Sequence, residues 1–178
     1  MIIGIDPGVK GGISIIDRGA IIKTLAMPLS SSFVKDKESQ YPNVVSILSF
    51  IEEFPEAPVL MESLRPIRGS NAFSTFKLGR YFGMIEGALT GINREPRLIL
   101  PRIWTKKIWT PEDEVYDLKR PNKNPKKKPR INTKATSLNA VMRLYPGQDS
   151  FFIPKGKRVY HDGIVDATLI ALYGEIYG

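Results

Sequence analysis

Apolar and polar positions along this chain repeat with two different periods. Near the start, Ile2, Ile3 and Ile5, then GISII at 12–16 and AIIKTL at 20–25, form short runs rich in β-branched residues. Such runs predict three strands, 2–6, 12–16 and 20–25. Gly11–Gly12 and Arg18–Gly19 supply the turns of a meander. A polar stretch follows, LSSSFVKDKESQ at 29–40, and is expected to be a loop. The period then changes to helical: Val44, Ile47, Leu48 and Ile51 predict a helix starting near Pro42. PVLMES at 58–63 reads as a strand, 71–90 as a long helix and LILP at 98–101 as a strand. KATSLNAVMRLYP at 134–146 reads as an amphipathic helix stopped by proline, and DGIVDATLIALYGEIY as an apolar terminal helix. The order βββ-α-β-α-β-α-α predicts an α/β sandwich with a mixed sheet.

The long helix carries Gly79, Gly83 and Gly87, one every fourth residue, so they share a bare stripe. Each costs about 1 kcal/mol relative to alanine. That cost is expected to be offset by close approach of another backbone: a neighbouring helix of the same chain first, otherwise a second subunit or a nucleic acid strand.

Two strands end on an acid, Asp6 in MIIGIDPG and Glu62 in VLMES. A carboxylate at a strand end near the sheet interior is costly to desolvate without a cation. For Asp6 taken alone, a turn-capping role is an equal explanation. A third acidic cluster, Asp162 and Asp166 in HDGIVDA, opens the terminal helix. Four residues apart, these two acids share a helix face and repel one another. Placement at a helix N-terminus accounts for Asp162 through the dipole, but not for Asp166, which is followed by the apolar ATLIAL. If both strand ends and this helix start converge, four carboxylates meet at one sheet edge. Such a cluster calls for divalent ions, and an oxygen-only donor set favours Mg²⁺ or Mn²⁺. Two ions about 3.5–4 Å apart can activate water and stabilise the leaving oxygen of a phosphodiester.

Composition sharpens the picture in three places. The 178 residues contain no cysteine, which excludes disulfides and cysteine-ligated metal sites and fits a reducing cytoplasm. Hydrophobic (42%) and charged (25%) fractions are those of a globular chain, expected as one domain over 1–178. No apolar run reaches membrane-spanning length, and a strand starting at residue 2 leaves no room for a leader, so a cytoplasmic location is expected. The net charge of +8 is concentrated in KRPNKNPKKKPR, 119–130. Lys119, Arg120, Lys123, Lys126, Lys127, Lys128 and Arg130 are seven of the 26 basic residues; the 19 left nearly match the 18 acids. Pro121, Pro125 and Pro129 forbid a helix there. Such a basic loop is a solvated surface or, more often, a contact to polyanions, here nucleic acid.

Together these pieces resemble the RuvC-type Holliday junction resolvases of the RNase H-like superfamily, particularly the short phage-encoded versions. The resemblance is carried by GIDPGVKGG (4–12), LMES (60–63), GSNAFSTFKLGRYFGMIEGAL (69–89), PRIWTKK (101–107), KATSLNAVMRLYP (134–146) and HDGIVDATLIALYG (161–174). It implies a five-stranded mixed sheet flanked by helices on both faces. It further implies a homodimer that cuts four-way DNA junctions with two Mg²⁺ or Mn²⁺ ions, in a bacterial cytoplasm if phage-encoded. Carried over by position, Asp6, Glu62 and Asp166 look like three of the four catalytic, metal-binding acids. Family members often place the fourth three residues before the last Asp, where this chain has Gly163. Helical geometry favours Asp162 instead, with His161 the alternative ligand. Many members also carry an aromatic wedge soon after the second acid; SLRPIRGSNAF has no aromatic until Phe73. Phe73 or Phe76 is then the stacking residue, or part of the core, and Arg65 and Arg68 are expected phosphate contacts.

The leading expectation is therefore a junction-resolving endonuclease. A nuclease of the same fold acting on forks, flaps or RNA-containing duplexes is the alternative. A non-catalytic junction binder would bind without cutting. A sugar-kinase-type ATPase shares the glycine-flanked Asp but needs two such domains and a second phosphate loop, which 178 residues do not supply.

Overall fold

The computed structural model describes residues 1–34, 37–64, 69, 71–117 and 129–178. Three antiparallel strands open the chain, β1 (Ile2–Asp6), β2 (Gly12–Asp17) and β3 (Ala20–Ala26). The Arg18–Gly19 turn closes the second hairpin with both residues at positive φ, 49° and 76°. β6 (Val59–Glu62) adds in parallel to β1, and β7 (Arg97–Ile99) in parallel to β6. The result is the expected five-stranded mixed sheet, in the order β3-β2-β1-β6-β7.

Alternation along the strands divides the interior into two cores. Ile3, Ile5, Ile13, Ile15, Val59 and Met61 face one side, under α1 (Val44–Glu52) and α2 (Ala72–Gly91). Ile2, Ile16 and Leu60 face the other, under α3 (Pro101–Ile108), α4 (Thr133–Leu144) and α5 (Asp162–Tyr177). Helices thus cover both faces, as parallel pairing requires.

α5 lies unusually close to the sheet, and small residues are the cause. A Cβ on Gly4 would sit 2.2 Å from the Ala167 carbonyl and 2.5 Å from the Ala171 nitrogen; one on Gly12 would meet the Gly163 carbonyl at 2.7 Å. Behind this seam, the Thr168 hydroxyl donates to that of Ser14 at 2.9 Å, satisfying two buried polar groups. α4 is fixed by an ion pair: Arg143 Nε and Nη2 donate to the two carboxylate oxygens of buried Asp113 at 2.9 and 2.7 Å.

Three expectations require correction. The polar stretch 29–40 is not a loop but a separate hairpin, β4 (Leu29–Val34) with β5 (Lys37–Pro42). It rests on α2, where the Tyr81 hydroxyl donates to the Gln40 carbonyl and Arg80 stacks on Tyr41. The strand expected at 98–101 ends at Ile99, and Pro101 instead opens α3, a position where its missing N–H costs nothing. Nor does the glycine stripe pack against another described element: added Cβ atoms at Gly79, Gly83 and Gly87 would meet nothing within 4 Å among the described residues.

Candidate active site

Asp6 ends β1 and Glu62 ends β6, and these strands are parallel neighbours. The pairing runs Gly4 with Leu60 and Ile5 with Met61. One step further along that register sets Asp6 beside Glu62. Asp6 lies four residues after Ile2 and Glu62 two after Leu60, so both lie on the α5 side with those residues. The glycine seam lowers α5 onto that side, and Asp166, next to the seam residue Ala167, completes the group. Three carboxylates from three elements are therefore drawn toward the same end of the sheet, at the C-terminal ends of its two neighbouring interior strands.

Their electrostatics show the meeting. Burial pushes the Asp6 carboxyl well above the usual range, and the charges of Asp166 and Glu62 push it further, against a hydrogen bond from the Gly8 N–H. Glu62 is raised to about 7, chiefly by burial; the Trp104 indole N–H, at 2.8 Å from Oε2, opposes this and Asp166 adds to it. Asp166 is raised to about 6, again chiefly by burial, with the Ser137 hydroxyl lowering it and Asp162 raising it. Asp166 Oδ1 is buried with no hydrogen-bond partner.

Asp162 stands at the rim. Its half-exposed carboxylate is ion-paired with Lys134, the second residue of α4. Lys134 also lowers the pKa values of Asp6 and Asp166, so it is a member of the site that composition did not reveal. Its one sequence signal is its place inside the quoted KATSLNAVMRLYP segment. His161 precedes the helix as its N-cap, where Nδ1 accepts the Ile164 N–H at 3.3 Å, and burial lowers its pKa. Gly163 has a steric explanation. A Cβ there would lie 2.2 Å from the Lys10 carbonyl and 2.4 Å from Gly11 Cα, so no acid fits at this position with α5 seated as it is.

A divalent cation suits this donor set. Burial and mutual repulsion leave the carboxylates in want of positive charge, and the orphaned Asp166 oxygen lacks any donor. Among the described residues, no three acidic or histidine side chains already converge to grip one ion by themselves. Mg²⁺ does not require that, since it commonly takes one or two carboxylates and fills its octahedron with water and substrate phosphate.

The surroundings are partly defined. Phe73 and Phe76, on the first two turns of α2, are 70% and 67% exposed, so neither is a core residue. A recess of about 450 Å³ opens beside Glu62 between Leu64, Leu78, Leu100 and Arg102. A second cavity, about 540 Å³, lies at the opposite end of β1 beside Met1, Arg94 and Arg97, away from the carboxylates. Arg65, Arg68, Lys119, Arg120, Lys123, Lys126, Lys127 and Lys128 lie outside the described residues. Arg130 is exposed, and its carbonyl accepts the Asp117 N–H at 2.7 Å, which joins the two flanks of the basic segment just before α4.

Comparison with known proteins bears on the fold. No family model and no curated protein sequence matches the chain. Solved structures do. Thermus thermophilus RuvC in complex with a Holliday junction substrate is similar over 99% of this chain and 93% of its own, with 14% identity and a TM-score of 0.54. A second structure of Thermus thermophilus RuvC is similar over 98% and 95%, with 15% identity and a TM-score of 0.50. Sheet order, helices on both faces and this likeness over nearly the whole length agree: the chain has the RNase H-like fold in its RuvC-like form.

Proposed function

We propose that this protein is a divalent-metal-dependent endonuclease that resolves four-way DNA junctions by paired phosphodiester hydrolysis. One observation carries the reading: Asp6, Glu62 and Asp166, from three separate elements, crowd one end of the sheet with a buried Asp166 oxygen left unpartnered, on a RuvC-like fold. Asp6, Glu62 and Asp166 would hold two Mg²⁺ or Mn²⁺ ions, with Asp162 as fourth ligand at the rim and His161 as the alternative. Once bound, such ions lower the pKa of the attacking water and stabilise charge on the phosphate and leaving oxygen. The chain contributes the rest. The three carboxylates are partly buried, which leaves them open to an ion and a phosphate, and Lys134 presents a cation at the mouth. Arg65, Arg68 and the basic segment 119–130 hold the phosphate backbone, which fixes position rather than sequence. Phe73 and Phe76, exposed at the same end of the molecule, suit stacking on bases unpaired at the crossover.

Paired nicks need two sites, so the working unit is a homodimer. The bare stripe of α2 and the shallow groove beside it, lined by Gly83, Gly87, Gly91 and Leu98, is the face this reading offers to a second copy. Gly79, Gly83 and Gly87 share that face, so a twofold axis would let two copies of α2 approach closely along it.

End-labelled four-way junction, fork, linear duplex and RNA–DNA hybrid should be offered to the protein and to Asp6→Asn in Mg²⁺ and Mn²⁺. The expected result is symmetric nicking of the junction, reduced about a thousand-fold or more in the variant, the scale of several kcal/mol of lost transition-state stabilisation. Preferential cutting of forks or the hybrid would keep the chemistry and replace the substrate. Tight junction binding without cutting would leave a binding protein.

A further inference from the structure

One polar contact of the site has no place in the chemistry above. α3 leaves the sheet directly after β7, whose Ile99 pairs with Glu62. One turn into α3, Trp104 is 2% exposed, and its indole Nε1 donates to Glu62 Oε2 at 2.8 Å. Trp109 meets the ring edge-on, centroids 6.0 Å apart at 82°. Apart from Trp104, the only buried residue of α3 is Ile108, so this short polar helix puts its one large ring against a carboxylate. Filling volume there would need only a phenylalanine.

The choice of indole has chemical content. Its N–H donates only; it does not ionise, ligate a metal or turn round to accept. A lysine in its place would compete with a cation for the carboxylate. A hydroxyl or amide could rotate and serve as acceptor. We propose that Trp104 is a positioning residue: its N–H anchors one oxygen of Glu62 and so fixes the direction in which that carboxylate meets a divalent ion. This rests on the metal-dependent nuclease reading and adds to it a residue that touches neither the DNA nor the metal. Partners that orient a metal ligand in this way typically matter 10–100-fold for affinity or activity.

Trp104→Phe keeps the ring and removes the N–H. In the full-length, metal-stripped protein, Mn²⁺ affinity measured by calorimetry should fall about ten-fold. The Mg²⁺ concentration for half-maximal junction cleavage should rise by a similar factor, while junction affinity in EDTA stays unchanged. Trp109→Phe should alter none of these. A packing role alone would lower the melting temperature and leave Mn²⁺ affinity and the Mg²⁺ midpoint where they were, which overturns the proposal.

A second measurement stands even if Trp104→Phe folds poorly. The chain has two tryptophans, so Trp109→Phe leaves Trp104 as the sole indole. Paramagnetic Mn²⁺ should quench its emission with the calorimetric midpoint, and adding Glu62→Gln should weaken that response. Emission indifferent to Mn²⁺ that calorimetry shows to be bound would sink the positioning role while leaving the nuclease reading intact. Absence of Mn²⁺ binding by the unmodified protein would overturn both.

Discussion

The same residue type does opposite things on the two faces of this sheet. On α5, Gly163 lies against the Lys10 carbonyl and the Gly11 backbone, and Gly174 against Ile2 and Leu60. On α2, Gly79, Gly83, Gly87 and Gly91 meet nothing among the described residues. The closed face brings a helix near enough for Asp166 to join Asp6 and Glu62. The open face keeps its glycines bare and its phenylalanines in solvent. A helical glycine therefore marks close approach only where something has approached; otherwise it marks a surface still free to be covered.

The closed face should be the one that responds to pH. Asp6, Glu62 and Asp166 all have folded-state pKa values above their ordinary ones. The native protein then holds protons that the unfolded chain releases, so stability falls as pH rises from about 4 through the raised folded-state values of the three groups. Glu62, raised from 4.5 to about 7, accounts for about 3 kcal/mol alone, and the other two add to it. Thermal melts of metal-free protein from pH 5 to 8 should show a falling midpoint. Mn²⁺ should restore it at pH 8 and do little at pH 5, because the ion needs the deprotonated groups. A flat profile would mean that the three carboxylates do not share a site.

Next in size is a direct test of the seam. Gly163→Ala places a methyl group against backbone that has nowhere to move, and α5 must lift. Urea denaturation should show a loss at the upper end of the ~1–3 kcal/mol typical of overpacking. Junction cleavage should fall further than stability does, since Asp166 leaves with the helix. A stable and active Gly163→Ala would show that the close seat of α5 is not what assembles the carboxylates.

The open face should fail differently. Phe73→Ala and Phe76→Ala remove mostly solvated rings, so stability should stay within about 0.5 kcal/mol. If these rings stack on unpaired bases, junction affinity should drop by roughly 1–3 kcal/mol per base, with duplex affinity unchanged. Equal losses on junction and duplex would reassign them to general backbone contact.

The two faces were also unequally legible in the sequence. Short apolar runs were enough to put Asp6 and Glu62 at strand ends, and the parallel pairing of β1 and β6 made them neighbours. The α5 seam was half legible: Gly4, Gly12 and Gly163 are visible, but which backbone each one faces is a tertiary fact. The β4–β5 hairpin was lost because its serine-rich strands pair with each other and not with the main sheet, so no buried alternation marks them. α3 was lost because eight residues after a strand give too little periodicity, and Trp104 went with it. Lys134 is one lysine among many until α4 aims it at Asp162.

The smallest expected effect separates the two faces most cleanly. Gly83→Ala adds a methyl group where no described residue lies within 4 Å, so in an isolated chain only helix propensity changes. Alanine is favoured by about 1 kcal/mol in a helix interior, and the melting midpoint should rise. That is the reverse of the sign expected at Gly163, for the same substitution in the same kind of element. The sign depends on what covers α2 in solution. If a second copy seats its own α2 on this stripe, the added methyl meets that helix and weakens association. Sedimentation of Gly83→Ala against the unmodified protein, alongside melts across a range of concentrations, reads both effects. A higher midpoint with weaker self-association identifies α2 as the dimer face. A higher midpoint with association unchanged sends the second copy elsewhere.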